Sequence, residues 1–154
     1  MFAFSIRSFF VRPVAVAFVV CAVAGSALAQ VSPVGLWRTI DDETKTEKSL
    51  VRISENAGVL SGKIEKITDP AKANAVCEKC TDERKDQLVL GMTILRNVRM
   101  SDPGVWEGGE ILDPNNGKDY RVRLRPTEGG KQLEVRGYIG VPMLGRTQTW
   151  IRVE

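Results

Sequence analysis

The sequence predicts an all-β protein, built as one antiparallel up-and-down barrel of about eight strands with a short helical flap. The first observation is a period of two, in which Tyr120, Val122 and Leu124 alternate with arginines that would face solvent. The second is a series of turn sequences, such as Asn116-Gly117, that separate such stretches. The third is the strand count, because closing about eight strands leaves no free sheet edge.

Each predicted strand is an alternating apolar stretch between two turn sequences. The connections between these stretches are short, which favours neighbouring hairpins over a two-sheet sandwich with Greek-key links. No repeat, low-complexity tract or linker interrupts residues 30–154, so we expect them to form a single domain. The predicted strands are residues 35–41, 48–55, 59–67, 91–100, 105–112, 119–126, 132–139 and 147–153.

The connection at residues 69–90 differs from the others because it has no period of two. Asp69 is a typical helix-capping residue, and Pro70 is a typical first helical residue. We therefore expect this stretch to form a short helical flap.

Residues 1–29 have the features of a secretory signal peptide. Arg7 and Arg12 give a basic start, an apolar run follows at residues 14–23, and an Ala-Leu-Ala sequence precedes Gln30. The apolar run is too short for a typical membrane-spanning helix. We expect cleavage between Ala29 and Gln30, which gives a periplasmic or secreted protein that does not span the membrane.

Composition excludes several functions. The chain has no His, which removes Ser-His-Asp and Cys-His catalysis and His-ligated zinc or haem. Loss of the signal peptide would lower the formal net charge from +3 to about +1, so charge gives no basis for nucleic-acid binding. No motif supports an enzyme, and we expect no cofactor and no metal ion.

Cys77 and Cys80 are the cysteines that remain after cleavage. In an exported chain they would meet an oxidising compartment, which favours a structural disulfide. A redox pair is an alternative, although the predicted helix would end near these cysteines rather than begin there. A metal site is the third reading, and it would have to recruit further ligands such as Asp82 or Glu83.

Gly35-Leu36-Trp37 opens the first predicted strand, and Arg152 lies in the last. This combination resembles the calycin barrels, the lipocalin and avidin group. The resemblance implies that Trp37 closes the base of the barrel and that Arg152 stacks on it, a favourable contact between a cation and an indole face. The alternative is that Trp37 is an ordinary core aromatic residue.

Further motifs extend over nearly the whole chain after residue 29. Together they resemble an exported bacterial family of domains of unknown function, number 2147. The resemblance implies a small periplasmic domain of Gram-negative bacteria, and it implies no activity or catalytic residue. The motifs are Ser32-Pro33-Val34-Gly35-Leu36-Trp37, Cys77-x-x-Cys80, Gly91-Met92-Thr93-Ile94-Leu95, Trp106-x-Gly108-Gly109-x-Ile111-Leu112-Asp113-Pro114, Arg136-Gly137-Tyr138-Ile139-Gly140 and Gly145-Arg146-Thr147-Gln148-Thr149-Trp150.

The apolar, glycine-rich stretch at residues 138–146 is unusual for an exposed connection. It is either a packed loop over the end of the barrel or part of a mouth that meets a ligand or a protein partner. The leading hypothesis is a non-enzymatic barrel that binds a small apolar or amphipathic molecule. The alternative is a structural or protein-interaction module of the cell envelope whose barrel is filled by its own side chains. The ligand contacts predicted by the first hypothesis are Tyr138, Met143, Arg146, Gln148 and Trp150.

Overall fold

The computed structural model describes residues 31–41 and 44–154, and within these residues eight antiparallel strands form a closed barrel in chain order. The first and last strands pair, with Trp37 opposite Arg152, so the sheet has no free edge. The predicted fold class is confirmed, and the strand bounds differ from the prediction by no more than two residues. The strands are β1 (Gly35–Ile40), β2 (Glu47–Asn56), β3 (Val59–Ile67), β4 (Thr93–Asp102), β5 (Val105–Asp113), β6 (Lys118–Thr127), β7 (Gln132–Tyr138) and β8 (Arg146–Arg152).

The alternating residues of β6 and β7 face the sides that the sequence predicts. Val122 and Leu124 are fully buried, whereas Arg121 and Arg125 are exposed. The predicted signal peptide at residues 1–29 lies outside the described residues. No helix in the described part of the chain is long and apolar enough to cross a membrane.

One half of the barrel, here called the base half, is packed solid with large apolar side chains. Each side chain of this size contributes about 1.5–3 kcal/mol when it is fully buried. This half therefore supplies much of the stability of the fold, and its completely buried members are Trp37, Val51, Ile53, Leu60, Leu95, Val98, Leu124 and Leu133.

The two ends of the barrel have different connections. At the base end, tight turns at residues 57–58 and 103–104 and a short connection at 128–131 join the strands. At the opposite end, here called the open end, lie the long connection 68–92 and the loop 139–145. Loops on a rigid scaffold are the usual place for binding residues, so the open end is the natural position for a site.

The predicted helical flap is wrong. The 68–92 segment has a single 3₁₀ turn, Pro70–Lys72, in which the Asp69 carboxylate accepts a hydrogen bond from the backbone N–H of Ala71 at 3.0 Å. The helix-start signal is therefore real, but this turn buries none of its residues, so no apolar face stabilises a longer helix. Beyond it, the chain is held by the disulfide Cys77–Cys80 and by an antiparallel bridge between Val76 and Leu88.

Candidate functional site

The open half of the barrel is hollow. Its interior and mouth form a cavity of about 1140 Å³, which is large for a small-molecule site. The strand residues that line it are a mixture of polar, small and large apolar residues, whereas the base half is uniformly apolar. They include Thr39, Ser49, Ile64, Ile94, Ile111, Tyr120, Val135, Gly137, Gln148 and Trp150.

The wall of this cavity has an apolar side and a polar side. Ile64 on β3, Ile94 on β4 and Ile111 on β5 form a continuous apolar surface across three neighbouring strands. Thr39 on β1 and Ser49 on β2 form a polar surface beside it, because β2 pairs with β3, and Gln148 on β8 extends the polar surface beyond β1. The interior thus offers apolar contact from β3 to β5 and hydrogen bonding from β8, β1 and β2, and Val135 and Trp150 add apolar surface beside Gln148.

The polar groups of the wall are already oriented by hydrogen bonds to one another. The hydroxyls of Thr39 and Ser49 lie 2.8 Å apart, and the Thr39 hydroxyl donates to the Ser49 carbonyl at 3.3 Å. The Trp150 indole N–H donates to Gln148 Oε1 at 3.2 Å. These contacts fix the polar wall before any ligand arrives.

The charged residues of the cavity wall all lie at its mouth, at strand ends or in connections. Among those that the structure describes, four are cationic and five are anionic, so these residues give the mouth no excess of positive charge that would select an anion. Lys48 and Asp41 also form an ion pair with each other at 3.2 Å. Among the described residues, no three carboxylate, Cys or His side chains are grouped so as to hold a metal ion.

The loop at residues 139–145, here called the mouth segment, carries large apolar side chains in an exposed position. Met143 is 88% exposed and Leu144 is 81% exposed. The Arg136 guanidinium fixes the loop, because its Nε donates to the Pro142 carbonyl at 2.7 Å and its Nη2 to the Met143 carbonyl at 3.2 Å. The backbone of the loop is therefore held in place, and its apolar side chains are exposed at the mouth rather than packed over the end of the barrel.

The predicted ligand-binding residues do not all occupy the cavity. Tyr138, Arg146, Gln148 and Trp150 line it, whereas Met143 lies on the mouth segment outside the lining. The role of these five residues in ligand binding stays a prediction.

The cavity-lining residues of β1 and β2 were not among the predicted ligand contacts. The signal that could have found Thr39 is its position two residues after Trp37, since residues two apart on a strand face the same side. Ser49 lies directly opposite Thr39 across the hairpin.

The 68–92 segment forms the other side of the mouth and is fastened to the barrel. The Arg84 side chain is almost fully buried and pairs with two carboxylates that are about one-third exposed. One is Asp82 in the same segment, and the other is Asp119 on β6, whose Oδ1 accepts from Arg84 Nη2 at 2.9 Å. Glu83 adds an ion pair with Arg96 on β4 at 2.6 Å. The segment is thus a fixed wall and not a loose lid.

The ion pair between Arg84 and Asp82 shifts the pKa values of both groups. Hydrogen bonds from the Arg84 guanidinium lower the pKa of Asp82 to about 2. Burial alone would lower the pKa of Arg84, but hydrogen bonds with Asp82 and Asp119 outweigh it and raise this pKa above its ordinary value. Both partners therefore stay charged at neutral pH.

At the base end, Arg152 lies over Trp37 with its Cζ 4.2 Å from the ring centroid. The guanidinium also donates to the backbone carbonyls of Ser32 at 2.7 Å and Val34 at 2.8 Å, and to that of Gly130. This end is closed, and the cavity is reached from the open end.

Comparisons with known proteins agree with this architecture. None of the curated proteins that were compared matches the chain. A solved structure that does match is protein HP1028 from Helicobacter pylori, which is described as belonging to the lipocalin family. The two are 22% identical, and the match covers 80% of this chain and 84% of that one with a TM-score of 0.70, which shows a shared fold. A family model matches residues 35–152, so the chain belongs to DUF2147, the uncharacterized proteins conserved in bacteria.

Proposed function

We propose that this protein is an exported, non-enzymatic binding protein that holds a small apolar or amphipathic molecule in the open half of its barrel. The observation that carries the proposal is the cavity of about 1140 Å³, which has mixed walls and opens beside an apolar mouth segment. A barrel filled along its whole length would have no room for a ligand.

Export is the second part of the proposal. The sequence of residues 1–29 supports it, and the disulfide between Cys77 and Cys80 fits an oxidising compartment. The mature chain should begin at Gln30. An intact-mass measurement of protein from the periplasmic fraction tests this, and a mass that includes residues 1–29 would contradict it.

Binding is tested with N-phenyl-1-naphthylamine, an uncharged apolar dye whose emission rises in apolar surroundings. The cavity-filling variant is Gly137→Leu, because a Cβ at Gly137 meets only ordinary contacts, the nearest at 3.5 Å, so a larger side chain extends into the cavity. The matched control is Thr149→Leu, which adds the same side chain at an exposed position of β8.

The expected result is saturable dye binding by the wild type and by Thr149→Leu, and binding at least about tenfold weaker by Gly137→Leu. Equal dye binding by all three proteins would place the dye elsewhere on the surface and contradict a cavity site. If the dye binds as expected, native mass spectrometry of gently purified periplasmic protein should reveal a natural ligand by its added mass.

A second candidate function is favoured by one observation. The exposed side chains of Met143 and Leu144 form an apolar surface at the mouth, and such surfaces often meet a partner. If the protein is an interaction module of the envelope, the double variant Met143→Ser/Leu144→Ser should lose partners that co-purify with the wild type. Unchanged co-purification would exclude this surface as their binding site.

A further inference from the structure

The cavity wall indicates the chemical class of ligand, an inference that rests on the function proposed above. The apolar surface of Ile64, Ile94 and Ile111 occupies strands β3 to β5, and the polar wall of Thr39, Ser49 and Gln148 occupies the neighbouring strands β2, β1 and β8. Charged groups at the mouth alone would suit a molecule with a single apolar chain and a polar head. In the interior of this cavity, however, polar and apolar groups lie side by side around the barrel.

The polar wall, formed by Thr39, Ser49 and Gln148, can accept a further hydrogen bond at Ser49. When the Thr39 hydroxyl donates to the Ser49 carbonyl and the Ser49 hydroxyl donates to Thr39, both protons are used. The lone pairs of Ser49 Oγ then remain as acceptors on a residue that lines the cavity. A ligand hydroxyl or amide N–H would satisfy them.

The ligand should also be uncharged. The charges of the described lining residues lie at the mouth and nearly balance, and the interior wall presents hydroxyl, amide and apolar groups. A carboxylate or phosphate drawn into this interior would lose its hydration without gaining an opposite charge, which is costly.

We propose that the ligand is an uncharged, facially amphipathic molecule: a rigid apolar body that carries hydroxyl or amide groups along one face. Its apolar face packs on Ile64, Ile94 and Ile111, and its polar face bonds to Ser49 and its neighbours on the polar wall. Thr39 and Ser49 are therefore residues that determine specificity.

The test is displacement of bound N-phenyl-1-naphthylamine by four competitors. Methyl cholate is uncharged and carries three hydroxyl groups on one face. Methyl lithocholate has the same skeleton with one hydroxyl, cholate is the anionic form of the first, and dodecan-1-ol is a single chain with a polar head. We expect methyl cholate to bind about tenfold more tightly than each of the others, which corresponds to at least one additional hydrogen bond.

The variant that tests the polar wall is Thr39→Val/Ser49→Ala, which removes both partners of the hydroxyl pair at nearly constant shape. The matched control is Ser54→Ala/Ser61→Ala, which removes an exposed hydroxyl pair, 3.4 Å apart, from β2 and β3. The preference for methyl cholate over methyl lithocholate should disappear in the first variant and persist in the second.

The outcomes separate the two proposals. Dye binding with equal or better displacement by dodecan-1-ol, cholate or methyl lithocholate would overturn the ligand class and leave the binding function standing. A preference for methyl cholate that survives in Thr39→Val/Ser49→Ala would overturn the role of the polar wall. A wild type that binds neither dye nor competitors would overturn the binding function itself. If the Thr39→Val/Ser49→Ala variant fails to fold, the ranking of competitors on the wild type decides the ligand class alone.

Discussion

At the scale of single residues, Trp37 and Arg152 close the barrel by several contacts at once. Trp37 is fully buried, and its indole N–H donates to the Pro33 carbonyl at 2.7 Å. Burial lowers the pKa of Arg152, yet this guanidinium keeps its charge because its ordinary pKa is far above neutrality. The cation thus offers one face to the indole ring and its N–H groups to three backbone carbonyls of the closed end.

We expect Trp37→Ala to destabilise the protein by about 3–5 kcal/mol, since it leaves a large cavity in the base half. Arg152→Ala should cost about 2–4 kcal/mol, because it removes the cation contact and leaves carbonyls without donors. The double variant should cost less than the sum of the two, because each substitution removes the other's partner. Urea unfolding of the four proteins measures this coupling, and strict additivity would show that the contact contributes nothing.

At the scale of elements, the 68–92 segment shows how a stretch without regular secondary structure becomes rigid. Its disulfide closes a short loop, its buried Arg84 reaches Asp119 on β6, and Gly117 allows the β5–β6 connection to approach Lys79 closely. The cysteine spacing made the disulfide predictable from the sequence. The pairing of Arg84 with Asp119 was not predictable, because the two residues are 35 positions apart and carry no local signal.

The ion pair between Arg84 and Asp82 makes the stability of the fold depend on pH in acidic solution. The folded-state pKa of Asp82, about 2, lies below its unfolded value of 3.8, so the paired carboxylate stabilises the fold above pH 4. This stabilisation is lost as the pH falls from about 4 towards 2. After allowance for screening by water it should be on the order of 1 kcal/mol.

Urea unfolding at pH 5 and pH 2.5 measures this loss. Asp82→Asn should lose less stability between the two pH values than the wild type, because it has no carboxylate to protonate at this position. The control Asp86→Asn, an exposed position of the same segment, should behave like the wild type. Equal pH dependence in the wild type and Asp82→Asn would mean that the ion pair does not stabilise the folded state.

The contact between Gly117 and the disulfide loop can be tested separately. Gly117 has a φ of +69°, and a Cβ there would clash with the Lys79 carbonyl oxygen. Gly117→Ala should therefore cost about 1–2 kcal/mol for its backbone conformation and more for the displaced segment, and dithiothreitol should reduce Cys77–Cys80 faster. The matched control is Gly104→Ala, with a similar φ of +79° and no atom within 4 Å of its Cβ. Equal reduction rates in the two variants would exclude the contact.

At the scale of the whole molecule, the barrel is divided into a solid half and a hollow half. The alternation along β6 and β7 predicts which side chains face inward, because that property depends on neighbouring residues in one strand. The hollow half depends on small or polar residues from strands near the two ends of the chain, such as Thr39 and Ser49 on β1 and β2 and Gly137 on β7. Their meeting depends on the register of the closed sheet, so the candidate site emerged only with the fold.

Two glycines, one in each half, test this division directly. A Cβ at Gly62 would lie 2.8 Å from Leu95 Cβ, which belongs to the solid core, so Gly62→Ala should destabilise the protein by about 1–3 kcal/mol through overpacking. A Cβ at Gly137 would have its nearest neighbour, Tyr120 Cβ, at an ordinary 3.5 Å. Gly137→Ala should therefore stabilise the protein by about 0.4–1 kcal/mol, because alanine restricts the unfolded chain at no cost to the folded one. Thermal and urea unfolding of both variants measure whether each substitution lowers or raises the free energy of unfolding. Destabilisation of similar size at both positions would mean that the open half is packed as tightly as the base half, and the cavity on which the binding function rests would not exist in solution.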